Sequence, residues 1–256
     1  SAPVGGVYLP FHENWPLPMT DFRQGDEMDA FVAFPEAYGQ TFSDVLSHFV
    51  ATAADQGWTD TTFQVYLNNK PGGNNPTPWT LDEPSGYWDF RALDYFGSLF
   101  DAAMTDVGGV DVRYRVDISR PQYHRGMLER VGLYVCNGAV AQEFPRVVVD
   151  QQRRIGNEVW TYGSSNPVGT SNHFVQAWAA RTFALGGRGL IPWQTVQSGA
   201  DLLTGDDAET HRLGLLLITE DSLTPKVYPS LRLAAFRRAQ QDMEYLIEVQ
   251  NRGGFG

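Results

Sequence analysis

Apolar positions along the chain fall into two alternating rhythms, short extended runs and longer stretches with the period of a helix. Residues 6–10 read as a strand, and 42–56 as a helix that gathers Phe42, Val45, Leu46, Phe49 and Val50 on one face, with Gly57 closing it. Residues 62–67 form the next strand, followed by a Gly/Asn/Pro loop over 68–78. Asp89 is placed to cap a helix that continues to about Met104. The pattern then predicts strands at 112–116, 133–136, 158–162 and 189–193. Helices are predicted at 122–130, 142–154, 172–185 and 230–249.

Repeated βα units in one chain imply a parallel sheet, either an open doubly wound sheet or a closed (β/α)8 barrel of the TIM type. Two features favour the barrel. The pairs Asn68-Asn69 and Asp82-Glu83, with Asp117, Tyr162 and Trp193, all follow the carboxyl ends of predicted strands, which share one rim in a barrel. An open sheet would more often carry a glycine-rich loop after its first strand, whereas Gly5-Gly6 precedes it. The count is roughly six or seven strands against eight in a complete barrel. The reading is therefore one barrel domain over residues 1–256, incomplete at its N-terminal end or the C-terminal part of a longer parent.

Composition narrows the chemistry. The chain has 256 residues, 42% hydrophobic and 19% charged, enough for one large core. A net charge of -11 without a basic run argues against nucleic acid or an anionic membrane as partner. No run is apolar enough to insert into a membrane. Cys136 lies in the apolar run Leu133-Tyr134-Val135-Cys136 and reads as a small core residue. His12 and His124 lack metal-ligand spacing, and no P-loop or Gly-x-Ser-x-Gly setting occurs, so neither metal nor cofactor is expected. Oligomeric state is not legible.

The chemistry concentrates in Trp79-Thr80-Leu81-Asp82-Glu83-Pro84, an acid pair at the end of an extended approach. Sugar hydrolysis uses two acidic groups with different tasks, one protonating the leaving oxygen and one stabilising positive charge at the anomeric carbon. Adjacent residues on an extended chain point to opposite sides, so without a twist or bulge the two carboxylates should serve different places. An aromatic share of 13% exceeds what a core alone requires and suits sugar rings. Trp15, Trp79, Trp160 and Trp193 are candidate subsite walls, whereas Trp58 and Trp178 fall on helix positions and read as core. Asn68, with Asn69 and Lys70, could bind hydroxyls or simply form a turn. Glu13 fits hydrogen bonds to a sugar and the bracing of a loop equally. Asp117 reads first as a structural ion pair, with a second-carboxylate role open. Arg237, Arg238, Asp242 and Glu244 read as ion pairs of the last helix.

Several separated motifs resemble one family. Leu9-Pro10-Phe11-His12-Glu13-Asn14-Trp15-Pro16, Leu81-Asp82-Glu83-Pro84, Val116-Asp117-Ile118-Ser119-Arg120-Pro121, Val159-Trp160-Thr161-Tyr162-Gly163 and Pro229-Ser230-Leu231-Arg232-Leu233 are similar to the catalytic domain of family 123 glycoside hydrolases and to the related domain of unknown function numbered 4091. The stretch from Phe236 to Leu246 resembles that family's closing helix. The resemblance implies a barrel and a glycan substrate, and it mildly favours a location outside the cytoplasm. It also implies retaining release of terminal β-linked N-acetylhexosamine, N-acetylgalactosamine above all, in which the sugar's own acetamide attacks. In that scheme Glu83 matches the general acid/base, Asp82 the group that orients the acetamide, and Tyr162 a hydrogen-bond partner of its oxygen. Two other readings stay open. One is a glycosidase for sugars lacking the acetamide, with Glu83 plus Glu13 or Asp117; the other is a barrel that binds glycan without turnover.

Overall fold

The computed structural model describes residues 4–72, 77–164, 170–193, 195–198, 214–218, 224 and 226–254. Its elements follow in chain order β1 (Gly6–Tyr8), α1 (Met19–Phe22), α2 (Ala30–Ala33), α3 (Glu36–Asp55), β2 (Thr62–Tyr66), α4 (Tyr87–Ala103), β3 (Asp111–Ile118), β4 (Leu133–Asn137), α5 (Gly138–Glu143), α6 (Pro145–Asp150), β5 (Glu158–Ser164), α7 (His173–Ala184), β6 (Gly189–Trp193), β7 (Val196–Ser198), β8 (Leu216–Ile218), β9 (Val227–Pro229) and α8 (Leu231–Asn251).

The fold is α/β, with one sheet in the order β1-β2-β3-β4-β5-β6. Strand pairs whose register is described are parallel, from Gly6 opposite Thr62 to Trp160 opposite Gly189. The order follows the chain without reversal, unlike a doubly wound sheet, which reverses at a switch point. This sheet has six strands among the described residues where a complete barrel has eight. A second sheet, β7-β8-β9, which the periodicity did not predict, pairs Val196 with Leu216 in parallel and Leu216 with Pro229 antiparallel.

The chain forms two compact units, one of residues 1–136 and 146–159, the other of residues 137–145 and 160–256. In the first, β2 to β4 are buried along most of their length, as parallel strands covered on both faces must be. Helix α3 packs on α4 at close range: a Cβ on Gly39 would stand 2.9 Å from Leu99 Cδ2, so a larger residue there would make the Leu99 side chain move. Ser43 and Ser47 lock the contact by donating to the carbonyls of Leu99 and Ala103. Phe34 lies between Tyr38 and Tyr95, ring centroids 4.4 and 5.3 Å away, with Phe42, Trp79 and Phe96 around them. Much of the aromatic surplus is thus core packing. In the second unit, Val175 and Ala179 of α7 meet Ala235 and Ala239 of α8, and Ser230 caps α8 by accepting from the Leu233 amide.

Two predicted helices and one tryptophan differ. Residues 122–130 are not a helix: a single 3-10 turn, Pro121–Tyr123, gives way to turns because Arg125 and Gly126 both take left-handed φ, 46° and 80°. The helix predicted over 142–154 is split, since Pro145 lacks an amide proton and begins α6 instead of continuing α5. Trp58 stands beyond the end of α3 at 46% exposure, whereas Trp178 is core as expected and donates from Nε1 to Thr161.

Candidate functional site

Three successive strand ends of the first unit bring acidic and polar side chains together. After β1 the chain turns through His12, Glu13 and Asn14; after β2 it passes Asn68, Asn69 and Lys70; β3 ends at Asp117 and Ile118. Parallel strands deliver all these ends to one side of the sheet.

Asn69 is the hub. Its side chain accepts from Asn14 Nδ2 at 3.4 Å and donates to the Trp79 carbonyl at 2.6 Å. Its own carbonyl accepts from the amides of Leu81 at 2.8 Å and Asp82 at 3.4 Å. One residue further on, the Glu83 amide donates to the Asp117 carbonyl at 3.2 Å. Asp89, at the start of α4, clamps the far side of the same turn: Oδ1 accepts from the Thr80 amide and Oδ2 from those of Ser85 and Gly86. The acid pair is thereby fixed from β1, β2, β3 and α4.

The backbone carries the twist that lets adjacent side chains converge. Glu83 adopts φ +60°, a left-handed conformation that costs an L-residue roughly 1–2 kcal/mol. That twist brings both carboxylates to one ammonium, with Lys70 Nζ 2.9 Å from Asp82 Oδ2 and 3.5 Å from Glu83 Oε2. Both carboxylates are partly exposed. The nearby charges act on Lys70, whose proton is held more tightly, first through its bond to Asp82. Burial, with the nearby charges of Asp117 and Asp82, pushes the Tyr66 hydroxyl far above the usual range.

Asp117 forms a buried ion pair. Arg115 donates to its two oxygens, Nε to Oδ1 and Nη2 to Oδ2, each at 2.7 Å, while Nη1 reaches Gln64 at 3.2 Å. The guanidinium also lies over the Tyr66 ring, 4.3 Å from its centroid. Burial pushes the Asp117 carboxyl upward against the pull of Arg115, with Asp82 and Glu83 adding to the rise. Both oxygens are committed to Arg115, which agrees with the structural reading.

Glu13 is the anomaly. It is 0% exposed, and neither carboxyl oxygen has a hydrogen-bond partner. Burial pushes it up to about 7; its own amide and those of Asn68 and Asn69 draw it partly back without reaching hydrogen-bond geometry, and Asp82 raises it further. His12 Nδ1 lies 3.8 Å from Oε2 but accepts from the Asn14 amide, so that nitrogen carries no proton to donate. Burial also lowers the His12 pKa, which keeps the ring neutral.

The other sequence candidates divide. Trp79 is corrected: it is 0% exposed in the aromatic core, its Nε1 donates to Met28, and it cannot wall an open subsite. Trp15 is 50% exposed and stacked on Phe11, which leaves an aromatic face beside Glu13 in sequence. Asn68 is exposed, and the buried member of the pair, Asn69, makes the connections. Tyr162 and Trp193 belong to the second unit, where Tyr162 pairs with Ile191 and Trp193 ends β6 at 60% exposure. Trp160 lies over Gly189, its partner in register, where any Cβ would come within 2.4 Å of the indole. In the loop after β2, residues 73–76 are outside the described residues.

Sequence reasoning passed over Lys70 as a charge partner, Tyr66 and Arg115. Alternation along β2 and β3 was the available signal, since Tyr66 and Arg115 are opposite each other in register. Cys136 is buried and its thiol is pushed up to about 12, which leaves it without nucleophilic character. Among the described residues no cluster of His, Cys, Asp or Glu could hold a metal ion, and no helix is long and apolar enough to cross a membrane. No protein-family model matches the chain, and no curated protein matches its sequence.

Proposed function

We propose that the protein is a retaining glycoside hydrolase that releases terminal β-linked N-acetylhexosamine, with N-acetylgalactosamine the sugar its motifs resemble most. The observation that carries this reading is the convergence of Asp82 and Glu83 on Lys70, held by a left-handed Glu83 at the carboxyl ends of parallel strands. A strained acid in such a place is a functional signal, because a turn without a task would relax to an unstrained residue.

The chemistry follows from the pair. Protonated Glu83 gives its proton to the glycosidic oxygen as the C1–O bond breaks, and the acetamide oxygen of the substrate bonds to C1 from the opposite face. Asp82 accepts a hydrogen bond from the acetamide N–H and offsets the positive charge of the resulting oxazolinium ring. Ionised Glu83 then takes a proton from water, which attacks C1, opens the ring and restores the acetamide with net retention. Lys70, within reach of both side chains, holds the pair together. Trp15, half exposed, offers an aromatic face to a sugar ring. The uninterrupted strand order supports the eight-stranded barrel as the architecture.

The reading without acetamide participation needs a second accessible carboxylate. Asp117 is committed to Arg115 and Glu13 is buried, which weighs against it. The test is hydrolysis of aryl β-N-acetylgalactosaminide and β-N-acetylglucosaminide by wild type, Glu83→Gln and Asp82→Asn, with binding of a thiazoline inhibitor measured in parallel. Activity that depends on both residues, with tight thiazoline binding, supports the proposal. Wild-type rates in both variants would sink it, and glycan binding with no monosaccharide released would mark a binding module.

A further inference from the structure

Glu13 carries more than a place in the site. A carboxyl buried with no hydrogen bond costs stability, and chains keep such groups where function requires them. The groups facing it are His12 on its own loop, Tyr38 of α3, Tyr114 of β3 and Asp82. His12 is neutral on that side, the Tyr38 hydroxyl donates to the Glu13 carbonyl, and the Tyr114 hydroxyl donates to Leu93. Asp82 is the one charge among them, and it has the sign that opposes ionisation of Glu13. The backbone of Asn68 and Asn69 lies on the carboxyl side, and the Asn69 carbonyl holds the amides of Leu81 and Asp82.

We propose that Glu13 is a positioning residue of the acid site, working as a neutral buried acid whose ionisation draws the amides of Asn68 and Asn69 toward it and pushes Asp82 away. The two displacements act on one segment. Moving Asn69 shifts the anchor of Leu81 and Asp82, while like charge repels the Asp82 side chain from its place beside Lys70 and Tyr66. What the site does with the change rests on the glycosidase reading, whereas the coupling itself does not.

The test is a pH titration, between pH 5 and 9, of the backbone amide NMR signals of Asn69, Leu81 and Asp82 in wild type and Glu13→Gln. In wild type the three signals should move together with one midpoint near 7; in Glu13→Gln that transition should vanish. Should the glutamine variant fail to fold, Glu13→Met has comparable volume and no titratable group. Absence of the transition in wild type, or its persistence in the variant, overturns the proposal. On aryl β-N-acetylgalactosaminide, kcat should fall through the same midpoint in wild type, and this component should be missing from Glu13→Gln. A transition that depends on Glu13 in a protein that hydrolyses nothing would leave the coupling standing and sink the glycosidase reading alone. Hydrolysis with a profile indifferent to Glu13 would do the reverse.

Discussion

Replacing Glu13 by glutamine should make stability less dependent on pH, by an amount that follows from burial. The carboxyl rises from 4.5 to about 7 on folding, so the folded chain binds this proton more tightly than the unfolded chain. The contribution is therefore fully present below 4.5 and is lost as pH climbs through about 7. A rise of that size corresponds to about 3 kcal/mol. Glutamine keeps the shape and cannot ionise; its buried amide adds a cost of roughly 1–3 kcal/mol that does not change with pH. Urea denaturation of both proteins at several pH values between 4 and 9 isolates the effect, because every other titrating group is common to the two. The stability of the variant minus that of wild type should increase by about 3 kcal/mol from pH 4 to pH 9, most of it between 5 and 8. A difference constant to within about 1 kcal/mol over that range would show that the Glu13 carboxyl finds partners in solution.

The other predictions concern the acid pair and its support. Glu83→Gln should lower hydrolysis about a hundredfold or more for a substrate with a poor leaving group, and much less for an activated aryl glycoside. Glu83→Gly should be more stable than Glu83→Ala by about 1 kcal/mol, since glycine takes φ +60° without strain, and a reversed order in thermal unfolding would contradict the left-handed assignment. Arg115→Met should destabilise by about 3–5 kcal/mol near neutral pH by stranding the Asp117 charge. Restoring neutrality with Arg115→Met/Asp117→Asn should recover part of that loss in a double-mutant cycle. Asn69→Ala should cut kcat while Glu83→Gln activity is hardly lowered further, because both changes act through one constellation.

The alternation of apolar runs was sufficient to place most strands and long helices, because burial imposes a period of two or 3.6 wherever an element covers the core. It located β2, β4 and most of α3, and it identified the acid pair by the proline that ends its approach. It failed where a single residue overrides periodicity: Pro145 divides a helical pattern, and left-handed Arg125 and Gly126 unwind another. Short elements such as α1, α2 and β7 to β9 have too few residues to show a period.

Residue identity alone could propose Asp82 and Glu83, but their direction depended on a backbone twist that no pattern encodes. The same holds for the tryptophans: Trp15 and Trp79 are alike in sequence, and one is half exposed while the other lies sealed against Phe34 and Met28. Glu13 could read as a sugar ligand or a brace, and only packing decided that it is enclosed without a partner. Composition and pattern are local properties and fix which segments seek burial. Enclosure, charge pairing and convergence depend on residues far apart in the chain, such as Glu13, Asn69, Asp82 and Asp117, and exist only once the strands lie side by side.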